Sequence, residues 1–298
     1  MSEASETSPP DGPPLTVGVV GTGQMGAGIM QVAAVHGHRV IAVGRRTESL
    51  ERASITIDRM LRIAVRKEGL SSEVAEAAKT RITSTQEVAD LAPCDLVIES
   101  IAEELEPKQS LFRQLDELLA DHAILASNTS ALSVTEIGSV TNRQDRVCGL
   151  HFFNPVPMME LLEVVRTDHT SDETYERAAA FGRSLGKRIV TAVDHPGFIV
   201  NFLLMPLLLG AARLYEQGLA TREDIDTGMK LGLGHPKGPL ELLDVIGTDT
   251  ALHVAESISS AFPGKAEYEP PKIIKDLVAA GKFGRKSGEG FYTYRKPS

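Results

Sequence analysis

The junction between the first apolar run and the first glycines is the feature that most constrains the fold of this chain. Residues 16–20 (TVGVV) have the composition of a buried parallel strand, and the sequence GTGQMG follows at once. Apolar residues then recur at helical spacing up to Gly37, a residue that can end a helix in the left-handed conformation. The sequence therefore predicts a strand, a tight turn and a helix, which is the opening unit of a dinucleotide-binding sheet.

The glycines of this turn have a specific physical role. Bare glycine backbone lets a pyrophosphate approach the N–H groups at the helix N-terminus, where the helix dipole favours negative charge. A GxGxxG pattern alone is a weak signal, and a purely structural turn is the alternative, but the position between strand and helix favours binding. We expect a dinucleotide to contact Gly21, Gly23, Gln24, Met25 and Gly26.

Further apolar runs alternate with helical patterns along the first two thirds of the chain. They predict strands at residues 39–43, 81–85, 95–101, 123–126 and 146–151. Strands that alternate with helices are typical of a doubly wound α/β sheet of the Rossmann type.

The composition changes near residue 195. From Pro196 onward helical patterns dominate, and Thr221 is a candidate helix cap. We predict a disordered tail over residues 1–14, a Rossmann-type NAD(P)-binding domain over 15–195 and an all-helical domain over 196–298.

The second predicted domain opens with a long apolar stretch, residues 198–212, which Asn201 and Pro206 interrupt. The stretch is too short and too broken for a membrane span. Because a helix that is apolar on most faces is normally buried, we expect it to take part in a homodimer interface.

Charge and cysteine content exclude several functional classes. The formal net charge is -9, which disfavours nucleic-acid and anionic-membrane partners because both require a broad basic surface. The two cysteines, Cys94 and Cys148, are far apart and give neither a disulfide framework nor a metal site. The N-terminal residues lack the pattern of a signal peptide, so we predict a cytoplasmic protein.

A histidine and a carboxylate suggest acid/base chemistry. His151 lies in the segment LHFFNP, and Glu163 follows twelve residues later. Histidine titrates near neutral pH and can take the proton of a hydroxyl group while hydride leaves the carbon. A carboxylate such as Glu163 can fix the imidazole tautomer and stabilise the imidazolium. The alternative is a core histidine beside a charge on a strand face.

Several sequence blocks, in order, match one family. The chain resembles the 3-hydroxyacyl-CoA dehydrogenase family, including the bacterial 3-hydroxybutyryl-CoA dehydrogenases, from about residue 15 to residue 294. The matching blocks are residues 21–28, DLVIE at 95–99, ASNTS at 126–130, HFFNPVP at 151–157, PGFIVN at 196–201, GPLELLD at 238–244 and GEGFY at 288–292.

The resemblance implies NAD(P)-linked interconversion of a 3-hydroxyacyl-CoA and a 3-ketoacyl-CoA. It assigns the acid/base role to His151, its orientation to Glu163, and the binding of the substrate oxygen at C3 to Ser130 and Asn201. On its own, Ser130 is more typical of a helix cap. The cofactor contacts that the resemblance implies are Ser130, Glu103, Lys108, Asn154 and Lys286.

The chain departs from the family where the second strand ends. An acidic residue that binds the adenosine ribose is expected there, and Gly44 stands in its place, followed by Arg45 and Arg46. A carboxylate repels a ribose 2′-phosphate, whereas a glycine leaves space and guanidinium groups bind phosphate. We therefore predict NADP as the preferred cofactor, with NAD possible. Two solvated arginines beside an accidental glycine are the alternative.

A second basic cluster lies on the next predicted helix. Arg52, Arg59, Arg62 and Arg66 share one stripe, and Lys67 follows. We predict that Arg62, Arg66 and Lys67 bind the CoA phosphates; a solvated helix face is the alternative.

Three further positions depart from the family pattern. Lys67 matches a CoA-binding lysine of the family, but Met60 replaces the family's serine. Phe202 and Lys237 stand where the family commonly has an arginine and an apolar residue. These departures leave the identity of the substrate open.

The sequence thus predicts an NADP-preferring, homodimeric dehydrogenase of short-chain 3-hydroxyacyl-CoA. A carrier-protein thioester presents the same arm as CoA and is an alternative substrate. A dehydrogenase of non-CoA hydroxy acids with this fold is another alternative. A non-catalytic dinucleotide-binding protein is a third, and residues such as His151 and Glu163 argue against it.

Overall fold

The computed structural model describes residues 13–294, so the predicted tail lies outside the described residues except for its last two. The described residues divide into two compact units, one up to His195 and one from Pro196 onward. Each unit forms its own set of elements.

An eight-stranded sheet forms the first unit, in the order β3-β2-β1-β4-β5-β6-β7-β8. The strands are β1 Thr16–Val20, β2 Arg39–Val43, β3 Ile82–Thr85, β4 Leu96–Glu99, β5 Ile124–Ser127, β6 Val147–Phe152, β7 Leu161–Arg166 and β8 Arg188–Val193. The first six are parallel, β7 is antiparallel to β6, and β8 is parallel to β7.

The doubly wound fold predicted from the sequence is confirmed. All six predicted strands are present, with ends that differ by at most two residues from the prediction. Strands β7 and β8 were not predicted. The strand order reverses between β1 and β4, and in such sheets the ligand lies at this switch point, beyond the carboxyl ends of the strands.

Helices connect most of the strands of the first unit. They are α1 Gln24–Val35, α2 Thr47–Lys67, α3 Ser72–Thr80, α4 Leu105–Leu118, α5 Val134–Gly138 and α6 Asp172–Ser184, with 3₁₀ turns at Val88–Leu91 and Gln144–Arg146. In α2 the buried residues are Ala53, Ile57, Leu61 and Ala64. The predicted arginine stripe is exposed on the same helix, as expected for an amphipathic helix.

The core of the first unit lies between the sheet and its helices. Strand residues such as Val17, Ile98 and Leu150 are fully buried, as are Ile29 and Met30 of α1. Burying a side chain of this size contributes about 1.5–3 kcal/mol, and the sheet and α1 therefore form a rigid base for the carboxyl edge.

The second unit is helical, as predicted. Its helices are α7 Val200–Glu216, α8 Arg222–Leu233, α9 Pro239–Ile246, α10 Thr248–Ala261 and α11 Lys272–Ala279. Thr221 caps α8 as predicted, and its side chain accepts a hydrogen bond from the Asp224 amide. The apolar stretch forms most of α7, with Pro206 inside the helix. Within residues 13–294, every helix falls short of the length and apolar character that crossing a membrane requires.

Candidate active site

The glycine turn is shaped for the close approach of a ligand. A Cβ on Gly26 would lie 2.0 Å from the Gly21 carbonyl oxygen, so this glycine lets the turn pack onto α1. Gly21 itself has a φ of 119°, which favours glycine. Gly23 is exposed, and no atom lies within 4 Å of the place where its Cβ would be. Gly23 also stands at the N-cap of α1 and provides no side-chain cap for the first amides of the helix. Such amides are groups that can bind a pyrophosphate, and this contact stays a prediction.

The predicted 2′-phosphate site lies at the end of β2. Arg45 and Arg46 are exposed, and within residues 13–294 no carboxylate forms an ion pair with either guanidinium. Gly44 is buried, and a Cβ on it would lie 2.7 Å from the Thr22 side chain and 2.8 Å from that of Leu50. The expectation that Gly44 leaves open space is therefore wrong, because Thr22 and Leu50 fill the volume that a side chain would take.

The predicted acid/base pair is assembled. His151 Nδ1 lies 2.6 Å from Glu163 Oε2, and the two residues face each other across the strands β6 and β7. His151 is 5% exposed and Glu163 is fully buried. The ring of Phe153 packs on the imidazole with a centroid distance of 4.6 Å. A carboxylate in this position holds the imidazole in one orientation and favours one of its tautomers.

Ser130 follows β5 and is held by Glu103. Glu103 Oε1 accepts hydrogen bonds from the Ser130 amide at 2.8 Å, from Thr129 Oγ1 at 2.6 Å and from the Ala131 amide at 3.2 Å. The helix cap that Ser130 alone suggested is supplied by Ser133, which caps α5. The Ser130 hydroxyl also donates to Glu103 Oε1, at 3.3 Å, so Glu103 holds both the backbone and the side chain of this residue after β5.

A buried ion pair supports this loop from below. Lys108 of α4 is 1% exposed, and its Nζ lies 2.6 Å from Glu99 and 3.1 Å from Glu103. Glu99 also accepts hydrogen bonds from the Ser127 hydroxyl and the Ile101 amide. Every charge of the cluster is satisfied, as a buried polar network requires. The structure places Lys108 inside the protein, beneath Glu103, and a direct contact between Lys108 and a dinucleotide stays a prediction.

The electrostatic balance at Glu103 follows from this arrangement. Burial alone would raise the pKa of Glu103, but the charge of Lys108 and the hydrogen bonds from Thr129 and Ser130 outweigh it. The pKa of Glu103 is therefore below its ordinary value, and the carboxylate remains charged in the neutral range.

Asn154 lies in the segment that follows β6. The residue is exposed, and its Oδ1 accepts a hydrogen bond of 3.0 Å from the Gln24 side chain in the first turn of α1. The two predicted cofactor contacts Gln24 and Asn154 are thus brought together by the fold.

Two predicted site residues belong to the second unit. Asn201 lies in the first turn of α7 and is partly exposed. Lys286 follows α11, and its Nζ lies 2.6 Å from Asp249 Oδ2. Of the two departures in this unit, Phe202 packs against the rings of Phe262 and Tyr268, and Lys237 lies 3.7 Å from Glu241. The roles of Asn201 and Lys286 stay predictions.

The predicted CoA residues lie along the end of α2. Arg62 and Arg66 line a cavity of about 200 Å³ between α2 and α3, together with Leu61, Val65, Ser72, Ala75, Glu76 and Lys79. Arg62 also forms an ion pair of 3.6 Å with Asp58. Lys67 is exposed at the last residue of α2 and does not line this cavity.

Both units match models of one protein family. Residues 16–195 match the model described as 3-hydroxyacyl-CoA dehydrogenase, NAD binding domain, and residues 197–294 match the C-terminal domain of the same family. This chain belongs to the 3-hydroxyacyl-CoA dehydrogenase family. It is an oxidoreductase, and its first unit is the NAD(P)-binding domain of this family.

Two relatives and a solved structure are similar to this chain over nearly its whole length. Human mitochondrial hydroxyacyl-coenzyme A dehydrogenase is 46% identical over 285 residues, which cover 94% of this chain and 91% of the human protein. A probable 3-hydroxybutyryl-CoA dehydrogenase of Deinococcus radiodurans is 42% identical over 280 residues, with 94% and 100% covered. The crystal structure of (S)-3-hydroxybutyryl-CoA dehydrogenase from Ralstonia eutropha has a TM-score of 0.90 and 41% identity, and covers 95% of this chain and 100% of that one.

The sequence did not reveal four residues that support the site of this dehydrogenase. Glu99 anchors Lys108, as described above. Asn128 Oδ1 accepts a hydrogen bond of 2.9 Å from the Phe152 amide and so ties the ends of β5 and β6 together. Asp194 accepts from the Val134 and Thr135 amides and thereby holds the start of α5. Lys187 holds the segment after β6. Asn128 could have been identified from the sequence, because it is a polar residue close after a buried strand.

Proposed function

We propose that the protein catalyses the NADP(H)-dependent interconversion of a short-chain 3-hydroxyacyl-CoA and the corresponding 3-ketoacyl-CoA. The observation that carries the proposal is the contact of 2.6 Å between His151 and the buried Glu163, in the same unit as the glycine turn. A bound nicotinamide takes hydride from C3 of the substrate in one direction and returns it in the other.

His151 is the general acid/base of the proposed reaction. In the oxidation direction, its Nε2 takes the proton of the C3 hydroxyl while hydride leaves C3, and the carbonyl forms. Glu163 stabilises the resulting imidazolium without taking up the proton itself. In the reduction direction, the imidazolium returns the proton to the carbonyl oxygen. A positioned base of this kind contributes about 10²–10⁴-fold to the rate.

Ser130 and Asn201 bind the oxygen at C3 in this proposal. Each side chain offers hydrogen-bond donors, and the amide of Ser130 is fixed by Glu103. Fixing the loop in advance reduces the conformational entropy that the protein loses when the substrate binds.

NADP is the proposed cofactor because of the end of β2. Two exposed guanidinium groups directly follow the position where a carboxylate would face the adenosine ribose, and arginine binds phosphate through paired N–H donors. Arg46 also stands directly before α2, where its charge opposes the helix dipole unless an anion is bound.

The acyl-CoA phosphates are proposed to bind at Arg62, Arg66 and Lys67. All three lie on the last two turns of α2, and Arg62 and Arg66 line the adjoining cavity. Charge reversal at Arg62 and Arg66 should raise KM for acyl-CoA, and an unchanged KM would remove them from the site.

We also propose a homodimer through the helical unit. Large apolar side chains are exposed on its helices, and Leu203, Leu231 and Leu233 are each at least 67% exposed. Such exposure is unusual for a monomer and common where two subunits meet.

The test is the initial rate of acetoacetyl-CoA reduction with NADPH and with NADH, followed by the absorbance of the reduced cofactor. We expect kcat/KM with NADPH to exceed that with NADH, and the rate to be lost in His151→Gln. Turnover with NADH alone would support the proposed reaction and contradict the NADP preference. If neither cofactor supports turnover, carrier-protein thioesters and non-CoA hydroxy acids are the substrates to test next.

A further inference from the structure

The segment after β6, residues 153–160, is tied down by a buried lysine. Lys187 lies directly before β8 and is 7% exposed. Its Nζ donates hydrogen bonds to the carbonyl oxygens of Val156, at 2.7 Å, and Met159, at 2.8 Å. One ammonium therefore holds two points of a segment that begins two residues after His151 and includes Asn154.

The same segment rests on α1. Val156 is 2% exposed, and a Cβ on Gly28 would lie 2.8 Å from its Cβ, so Gly28 provides the room in which Val156 packs. One turn earlier in α1, the Gln24 side chain donates to Asn154. The N-terminus of α1 is the place where a pyrophosphate would bind, so the segment is docked on the helix that holds the dinucleotide.

Lys187 is a costly residue to keep in this position. Burial lowers its pKa to about 8, although the charge of Glu160 opposes the shift. The ammonium thus remains charged at neutral pH in surroundings that disfavour a charge. An apolar side chain could not donate the hydrogen bonds that these two carbonyl groups accept.

We propose that Lys187 is a positioning residue for the dinucleotide: it holds residues 153–160 on α1 and thereby keeps Asn154 in place to contact the cofactor. The proposal rests on the proposed function, in which this cleft binds NADP(H). Lys187 acts through the segment and does not itself touch the cofactor.

The test compares Lys187→Met with the wild-type protein. Methionine has a similar length but donates no hydrogen bond, so the segment loses both ties. Lys187→Gln is made in parallel. Glutamine is shorter than lysine but polar, so this variant can fold even if Lys187→Met does not. Lys272→Met is the matched control, since Lys272 is exposed on α11 and its ammonium bonds to Asp276.

The dissociation constant of NADPH is measured by its fluorescence on binding, and KM and kcat are measured in the acetoacetyl-CoA assay. We expect the Kd and KM for NADPH to rise roughly tenfold in both Lys187 variants, as the loss of hydrogen bonds to a charged donor would give, with kcat near the wild-type value. Lys272→Met should leave all three unchanged.

The proposal is overturned if the folded Lys187 variants bind NADPH as the wild type does, or if kcat falls while Kd and KM stay unchanged. A wild-type protein that binds NADPH but shows no turnover contradicts the proposed reaction and leaves the Kd comparison intact. A wild-type protein that binds neither dinucleotide contradicts both proposals.

Discussion

His151 and Glu163 are cross-strand partners of an antiparallel strand pair, and their side chains meet at 2.6 Å on one face of the sheet. Partner residues in such a pair project to the same side with their Cβ atoms close together. The backbone register of β6 and β7 therefore fixes the distance between the imidazole and the carboxylate, and the intervening segment does not have to set it.

We predict that Glu163→Gln lowers kcat by roughly 10²–10⁴-fold, because the amide neither holds the required tautomer nor stabilises the imidazolium. KM for the dinucleotide should change little, since Glu163 is buried behind His151. Steady-state rates with acetoacetyl-CoA check this, with Glu173→Gln as the control because Glu173 is 80% exposed on α6. A Glu163→Gln variant with wild-type kcat would contradict the orienting role.

The cofactor preference gives a second prediction. Replacing Arg45 and Arg46 together by alanine should raise KM for NADPH by roughly tenfold to a hundredfold, the range for lost hydrogen bonds between charged groups, and leave KM for NADH unchanged. The effect should shrink at high ionic strength, since both side chains are exposed. Arg183→Ala, at another exposed arginine, is the control. Equal changes for NADPH and NADH would show that the arginines do not read the 2′-phosphate.

Alanine substitutions at two glycines of the same turn should affect different properties, cofactor binding at Gly23 and stability at Gly26. At Gly23 there is room for a Cβ in the protein, so Gly23→Ala should leave Tm unchanged but raise KM for the dinucleotide, whose phosphates would meet the new methyl group. At Gly26 a Cβ would meet the Gly21 carbonyl, so Gly26→Ala should cost about 1–3 kcal/mol of stability. Thermal unfolding and initial rates on both variants check this, and a destabilised Gly23→Ala protein would contradict it.

The elements that the sequence predicted are those with a strong local pattern. Strands β1, β4 and β5 are buried on both faces, and continuous apolar runs are a direct sign of such strands. Strand β8 lies at the edge of the sheet and leaves Val190 and Val193 exposed, so its apolar pattern does not show which side is buried. The antiparallel return of β7 depends on tertiary pairing and has no local signal.

Residues whose own side chain or backbone performs the chemistry could be predicted from the sequence. Residues that support other residues could not. His151 and the glycine turn are visible from residue type and position. Glu99 and Lys187 are charged residues that a sequence pattern would place on the surface, since a buried charge depends on partners that only the fold provides. The lack of space beside Gly44 could not be predicted for the same reason, because Thr22 and Leu50 come close to Gly44 only in the folded unit.

Acid should destabilise the protein through His38. This side chain is 2% exposed; its Nδ1 accepts a hydrogen bond from the Leu15 amide and its Nε2 lies 2.9 Å from the Ser184 hydroxyl. Since Nδ1 faces a donor, the ring is neutral, and burial lowers its pKa to about 4. In the unfolded chain a histidine has a pKa of about 6.5, so between these two values the unfolded state binds more protons than the folded state.

The contribution of His38 to stability is therefore complete above about pH 6.5 and is lost as the pH falls towards 4, by up to about 3 kcal/mol. Urea unfolding at pH about 7 and about 4.5 measures it. His38→Asn keeps an acceptor for the Leu15 amide and does not titrate, so its stability should depend less on pH than that of the wild type. His122→Asn is the matched control, because this histidine is exposed and its ring contacts Asp95 at the surface. If the wild type and His38→Asn lose stability equally on acidification, His38 is not the group that senses the pH.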